Sequence, residues 1–334
     1  MIAQSRRGAL SPAGAPGAAA LLLAGAALLA GCGRAPRTPP SERPLFVSDR
    51  GGAARLYEAD DEAGSVTLVG SGDAGDAGYV DSMPARLPDG RIIFVSTRGG
   101  GAALYVADAG SAGARPLFGG GAAVAADSDP APCGADRILF ARAAVAGTPR
   151  DLWVARLDGS DAHPLTRAPS DDGAPCLLPD RRTVIFVSDR GGAPRLHRLD
   201  LDAADPDAGA TLLSTGETSA PDAIDSAPAC LDDGSILFAR SMKGQPRQVL
   251  ALAPDARPPV LRQLTEAAVL PYGAGEPVPI GDGKFLLTAG PGKGPAGRPR
   301  YGLYRLTRGG YNLARITRDG AGYNDYARGL ELLR

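Results

Sequence analysis

The chain has 334 residues, 44% of them apolar, with 46 Gly, 30 Pro and a formal net charge of −1. That balance excludes the basic surface a nucleic-acid binder needs and binding driven mainly by acidic lipid. Aromatics at 5% leave few spare rings for base or sugar stacking, and two histidines, His163 and His197, cannot furnish a histidine-rich metal site.

In chain order, Arg6 and Arg7 precede an apolar run from Ala18 to Ala30. The run is too short for a bilayer core, which takes about 20 residues, and has the length of a signal-peptide core. It closes on Leu29-Ala30-Gly31-Cys32, which resembles the lipobox of bacterial lipoproteins. There, small residues fit a narrow peptidase cleft and the cysteine thiol takes the lipid. Residues 1–31 are thus expected to be a lipoprotein signal peptide and Cys32 the lipidation site, where several acyl chains give stable anchoring. The alternative is an ordinary signal peptide with an incidental cysteine. Ser5-Arg6-Arg7-Gly8-Ala9-Leu10 resembles a twin-arginine export signal, with Ala9 where a bulkier residue is usual. Gly33 is not the Asp of inner-membrane retention in enteric lipoproteins, so the resemblance implies an outer-membrane lipoprotein facing the periplasm. Residues 32–43 form the lipidated cysteine and a Pro-rich tether, reaching on the order of 30 Å.

From Leu45 onward a pair of strand signatures returns six times. The first is seen in Leu45-Phe46-Val47-Ser48-Asp49-Arg50, Arg91-Ile92-Ile93-Phe94-Val95-Ser96, Arg137-Ile138-Leu139-Phe140, Thr183-Val184-Ile185-Phe186, Ser235-Ile236-Leu237-Phe238 and Lys284-Phe285-Leu286-Leu287. The second is Leu56-Tyr57, Leu104-Tyr105, Leu152-Trp153, Leu196-His197, Val249-Leu250 and Leu303-Tyr304. Phe46, Phe94, Phe140, Phe186 and Phe238 are 48, 46, 46 and 52 residues apart. A period in the forties with strand chemistry predicts a β-propeller. Acidic-Ser-Pro segments such as Asp81-Ser82-Met83-Pro84 open the units, and turns such as Pro88-Asp89-Gly90 and Arg98-Gly99-Gly100 separate the strands. A last short strand is placed at Leu68-Val69, Leu117-Phe118, Leu165-Thr166, Leu212-Leu213, Leu264-Thr265 and Ile316-Thr317. The first unit lacks its opening segment, and residues 323–331 have no strands behind them. The expected fold is therefore all-β: residues 44–334 form a six-bladed propeller of four-stranded antiparallel blades, closed by the C-terminal strand in the first blade.

These units resemble the WD-like repeats of the TolB propeller family in their Ser-x-Pro opening, Pro-Asp-Gly turn, Phe-Val-Ser-Asp-Arg-Gly-Gly strand and turn, Leu-Tyr strand and Leu-Thr close, over about residues 44 to 331. The family's namesake carries an α/β domain before its propeller and is not lipid-anchored. The resemblance therefore implies a propeller-only relative, and a role in the Tol–Pal system does not carry over with the fold.

Asp81, Asp127, Asp171, Asp172, Asp225, Glu276 and Asp325 open the innermost strands and are the candidate ring at one channel mouth. They are read either as turn caps or as a funnel for a cation or basic peptide. Arg50, Arg98 and Arg190 are read as turn residues making surface ion pairs beside Asp49 and Asp189. Cys133, Cys176 and Cys230 are read as small packing residues, with a Cys133–Cys176 bridge as the alternative. His197 is read as an outlier at a packing position and His163 as a loop residue. Tyr272, Tyr301, Tyr311, Tyr323 and Tyr326 form either a patch or filling between the last blade and the first.

With no G-x-S-x-G elbow and no hydrolase domain of the prolyl-oligopeptidase kind, no catalytic residue, metal or cofactor is expected. Oligogalacturonate lyases are similar in propeller type but bind metal through several histidines. The first functional reading is a monomeric, non-catalytic scaffold that binds an envelope or periplasmic protein and is held to the membrane through Cys32. The alternative is a small-molecule or glycan binder, or a weak metal-dependent enzyme, at the channel mouth.

Overall fold

The computed structural model describes residues 43–60, 65–70, 78–111, 113–119, 125–213, 222–257, 259–266, 270, 273–281, 283–293, 299–307, 313–316 and 325–326. The chain separates into two units, residues 1–35 and 36–334, and every described residue lies in the second. The expected signal peptide, Cys32, the tether to residue 42, and Tyr272, Tyr311 and Tyr323 lie outside the described residues.

All regular elements among the described residues are strands, in six antiparallel four-stranded sheets. Blade 1 holds β1 (Leu45–Ser48), β2 (Arg55–Asp60) and β3 (Ser65–Leu68), completed by β24 (Asp325–Tyr326) from the far end of the chain in the order β24-β1-β2-β3. Blade 2 runs β4 (Asp81–Arg86), β5 (Ile92–Ser96), β6 (Ala103–Ala107), β7 (Arg115–Pro116). Blade 3 runs β8 (Ala126–Cys133), β9 (Arg137–Ala143), β10 (Arg150–Arg156), β11 (His163–Pro164). Blade 4 runs β12 (Asp172–Leu177), β13 (Thr183–Ser188), β14 (Arg195–Asp200), β15 (Thr211–Leu212). Blade 5 runs β16 (Ile224–Cys230), β17 (Ile236–Met242), β18 (Gln245–Ala253), β19 (Val260–Gln263). Blade 6 runs β20 (Ala274–Pro279), β21 (Lys284–Lys293), β22 (Pro299–Thr307), β23 (Ala314–Arg315).

The core is divided among the seams between blades. Strands such as β1 and β5 are buried on both faces, so alternate residues serve two neighbours. Phe140, Ile138 and Ala155 of blade 3 pack with Ile93, Leu104 and Val106 of blade 2. Phe46, Tyr57 and Ala59 of blade 1 pack with Leu286 and Leu303 of blade 6, which closes the ring hydrophobically. The closing ladder pairs Val47 with Tyr326 and Ser48 with Asp325. Tyr301 acts as filling: it packs against the cluster of Leu45, Val47 and Phe94.

The outermost strands end earlier than the Leu-Thr signature predicts. β7, β11 and β15 stop at Pro116, Pro164 and Leu212, and the residues that follow, Leu117, Leu165 and Leu213, turn inward and are buried. Their backbone N–H groups donate to Leu104, Leu152 and Leu196 of the third strands at 2.8, 2.7 and 2.9 Å. The leucine is therefore a plug anchored beyond the strand rather than a rung within it.

Two turn features carry backbone cost. Gly90 sits at φ +87° in the first hairpin of blade 2, and in the matching turn of blade 4 Arg181 adopts φ +60°. A side chain there costs about 1–2 kcal/mol, and Asp180 offsets it by accepting bonds from the Arg182 and Thr183 backbone N–H groups at 3.0 and 2.9 Å. The residue before the opening proline also lies at positive φ in five blades: Met83, Asp129, Ala174, Ala227 and Glu276 at 47–54°. Each coincides with a β-bulge in the innermost strand. The bulge turns the proline that follows, as in Pro84 and Pro228, toward the axis.

The reading of the cysteines is corrected. Cys176 and Cys230 form a disulfide between the innermost strands of blades 4 and 5, with Cα atoms 5.6 Å apart, and Cys133 is unpaired. Neighbouring innermost strands therefore approach closely enough to be bridged. The Ala-Pro-Cys repeat misleads about register. The structural equivalent of Pro175 is Pro130, which puts Cys133 two residues further along its strand than Cys176.

Removing residues 321–334 deletes β24 and leaves β1 an open edge. The expected loss is about 2 kcal/mol or more, a drop in Tm of several degrees with concentration-dependent aggregation, read by thermal melts at two protein concentrations. An unchanged melt would show that the two-residue ladder does not hold the ring.

Candidate functional site

The carboxylates expected at the channel mouth sort by register into five equivalents and two others. Asp81, Asp127, Asp172, Asp225 and Asp325 stand opposite Ser96, Arg142, Ser188, Arg240 and Ser48 of the second strands. Asp171 lies one residue before this position. Glu276 lies two after it, where Ala274 is the equivalent residue.

The side chains of Asp81, Asp172 and Asp225 are almost fully buried, and each meets an arginine of its own blade. In blade 2, Arg98 Nη2 donates to Asp81 at 3.0 and 3.1 Å and Nε to Ser96 Oγ at 2.9 Å. Its guanidinium lies 5.4 Å from the Phe94 ring centroid and 5.0 Å from Tyr105. Blade 4 repeats this with Arg190, Asp172, Ser188 and Phe186. Blades 3 and 5 reach the same pair differently, from arginines within the strand. Arg142 donates twice to Asp127, at 2.6 and 3.1 Å, over Phe140. Arg240 does the same to Asp225 over Phe238.

The arginine is either two or four residues after the phenylalanine, even offsets that keep both on one face of the strand. Where serine stands opposite the aspartate, the arginine comes from the turn and uses the serine hydroxyl as a relay. In blade 1, Arg50 donates to Ser48 and lies over Phe46 and Tyr57. Blade 6 has Ala274 and Ala289 at the paired positions and Leu287 in place of the phenylalanine. There Thr288 Oγ1 donates to Glu276 at 2.5 Å.

The reading of Arg98 and Arg190 as surface turn residues beside Asp49 and Asp189 is thereby corrected. Their partners are buried carboxylates 17 and 18 residues away in sequence. Asp189 instead accepts the backbone N–H of Asp171 at 2.9 Å. Asp171 itself is bound by Arg150, which also reaches Asp129 at 2.7 Å. Gly173 stands where blades 2, 3 and 5 carry serine, and a Cβ there would lie 2.8 Å from the Arg150 guanidinium.

His197 occupies the rung opposite Phe186, with ring centroids 5.7 Å apart, and its Nδ1 lies 3.0 Å from the Arg195 carbonyl. Burial pushes its pKa below the ordinary histidine value. His163 is exposed in the outer strand β11 rather than in a loop.

Two recesses lie on the axis. One, of about 370 Å³, is lined by the first halves of the innermost strands and includes Arg150, Asp171, Asp189 and Arg247. The other, of about 480 Å³, is lined by the second halves, with Pro84, Pro130, Pro228 and Pro277, the disulfide, Arg43 and Arg86. Sequence reasoning did not single out Arg142, Arg240, Arg86 or Arg247. The recurring Phe-Ala-Arg of blades 3 and 5 was the available signal for the first two.

No protein-family model matches the chain. Over 47 residues, 14% of this chain and 11% of the relative, it is 43% identical to the Tol-Pal system protein TolB of Bordetella pertussis. Among solved structures, TolB from Acinetobacter baumannii superposes with a TM-score of 0.63 at 17% identity, over 84% of this chain and 65% of that one. Kuenenia stuttgartiensis hydrazine synthase superposes at 0.65 and 17% identity, over 87% of this chain and 46% of that one. A puromycin-hydrolyzing peptidase of Mycobacterium tuberculosis does so at 0.53 and 16%, over 80% and 42%. The chain thus has the six-bladed propeller fold seen in TolB and spans about a tenth of the curated relative it matches.

Asp225→Ala leaves the buried Arg240 without its carboxylate and is expected to cost about 3–5 kcal/mol. Asp225→Leu combined with Arg240→Met removes the fully buried pair and leaves only the part-exposed Arg195, which also donates to Asp225 at 3.1 Å, without that carboxylate; it costs clearly less, as chemical denaturation of the single and double variants will show. For His197 the folded pKa lies below the unfolded value, so stability is full above about pH 6.5 and falls as the pH drops. His197→Tyr installs the residue of blades 1, 2 and 6 and should flatten the denaturation midpoint between pH 7 and 5 relative to the parent.

Proposed function

We propose that this chain is a lipid-anchored scaffold of the bacterial envelope, moored through Cys32 to the outer membrane, facing the periplasm, and binding another protein at an end of its channel. Residues 1–31 act as the signal peptide, 32–43 as the tether and 44–334 as the propeller. The Leu29-Ala30-Gly31-Cys32 pattern supports export and lipidation. The Cys176–Cys230 disulfide fits an oxidising compartment outside the cytoplasm. The short match to a protein of the Tol-Pal system points to the same compartment.

One observation carries the scaffold reading. Asp81, Asp127, Asp172 and Asp225 are engaged by arginines of the chain itself, so the repeated polar groups are taken up within the blades. What the axis offers a partner is two preformed recesses on a rigid frame. The second reading, a small ligand at the acidic end, is favoured by Arg247. Its Nη1 is buried and without a hydrogen-bond partner at the recess that holds Asp171 and Asp189.

Cys32→Ser should move the protein from the membrane fraction to the soluble periplasmic fraction. A photo-crosslinking residue placed at Asp232 or at Asp189, at opposite ends of the axis, should capture a defined protein in cells from one end. Retention of the Cys32→Ser variant in membranes would remove the anchor. Capture at neither end, with a small ligand raising Tm, would favour the second reading.

A further inference from the structure

The larger recess has the chemistry of a reader of peptide ends. Its walls include four of the five prolines that follow the bulges, Pro84, Pro130, Pro228 and Pro277, with Leu45 and Ile280. Proline offers no N–H, so these positions present apolar surface without a competing donor. Against that wall stands Arg86, the last residue of β4. Its Nη2 donates to Glu58 at 2.6 Å and to the Arg43 carbonyl at 3.3 Å. Its Nη1 is buried and has no hydrogen-bond partner. An unmet donor on a charged group is costly to bury, and an acceptor carried in by a ligand would satisfy it after a small rotation. The charged side chains lining the recess are Arg43, Arg86 and the exposed Asp232, and with Glu58 taking up Nη2 of Arg86, what the site offers an anion is the unmet Nη1 donor. The volume of about 480 Å³ suits a short segment of chain.

We infer that this recess binds the C-terminal end of a protein partner, with a free α-carboxylate on Arg86 and an apolar last side chain against the proline wall. The inference rests on the scaffold reading above and names the chemistry by which that scaffold selects its partner. A peptide suits the site better than a fatty acid. Each innermost strand pairs with a neighbour on one side only, so its other edge faces the axis with main-chain groups that a peptide backbone can use and an acyl chain cannot.

The test compares acetyl-Ala-Pro-Ala-Leu bearing a free carboxylate with the same peptide amidated, by calorimetry on the full mature chain. The acid is expected to bind about 10-fold or more tightly than the amide. That preference should vanish in the paired variant Glu58→Gln with Arg86→Gln, which removes both charges and spares Glu58 from being buried alone. Equal binding of acid and amide, or a preference that survives the paired variant, overturns the inference. Should the paired variant fail to fold, the acid–amide ratio on the parent decides, together with competition by palmitate. Palmitate binding in place of the peptide overturns the inference in favour of a lipid. Capture of a protein from the Asp189 end in cells, with no acid–amide difference, sinks this inference and leaves the scaffold standing. An acid preference with no protein captured from either end does the reverse.

Discussion

The structure depends on a buried aspartate at the start of four innermost strands, Asp81, Asp127, Asp172 and Asp225. In blades 2, 3 and 5 its backbone N–H donates to a carbonyl of the preceding blade, from Asp81 to Ala54, Asp127 to Ala102 and Asp225 to Pro194, at 2.9 to 3.0 Å. Its carboxylate binds an arginine of its own blade. One residue thus ties a seam and a sheet together. Burying the pair carries a desolvation cost that ion pairing only partly offsets, so its value lies more in fixing register than in net stability. A one-residue slip of the innermost strand would exchange its faces and part the aspartate from its arginine.

Blade 6 shows what happens without the pair. Alanines stand at both positions, so neither member of the pair is left buried without the other. Loss of both partners is tolerated where loss of one is not. The two arginine placements make the same point: the constraint is on where the guanidinium ends up, over the phenylalanine and against the aspartate. Phe140-Ala141-Arg142 and Phe186-Val187-Ser188-Asp189-Arg190 satisfy it with different stretches of chain.

Much of the fold was legible from the sequence because it rests on local periodicity. Phe46, Phe94, Phe140, Phe186 and Phe238 mark the second strands, and the ladder between β1 and β24 follows from a missing segment at one end and a surplus at the other. The site was less legible because it depends on contacts between residues distant in sequence. Asp189 sits beside Arg190 in the turn after β13, yet the arginine folds back over Phe186 to bond Asp172, 18 residues away. The Cys176–Cys230 bridge depends on the spacing of neighbouring innermost strands, which no single blade encodes. The bulges that aim the prolines at the axis appear in the sequence only as Ser-x-Pro and Gly-x-Pro, with no sign of the positive φ between them.

The position of β1 has a mechanical consequence. It is the segment through which any pull on residue 43 enters the ring, and it lies between a four-rung ladder to β2 and a two-rung ladder to β24. Tension along β1 loads both ladders in shear, so their rungs resist together instead of unzipping one at a time. The covalent link between blades 4 and 5 lies across the ring from that load, two blades away at its nearer end. A tug on the N-terminal segment therefore meets the ring inside the blade that joins the two chain ends, and yielding would begin in blade 1 while the stapled half kept its shape.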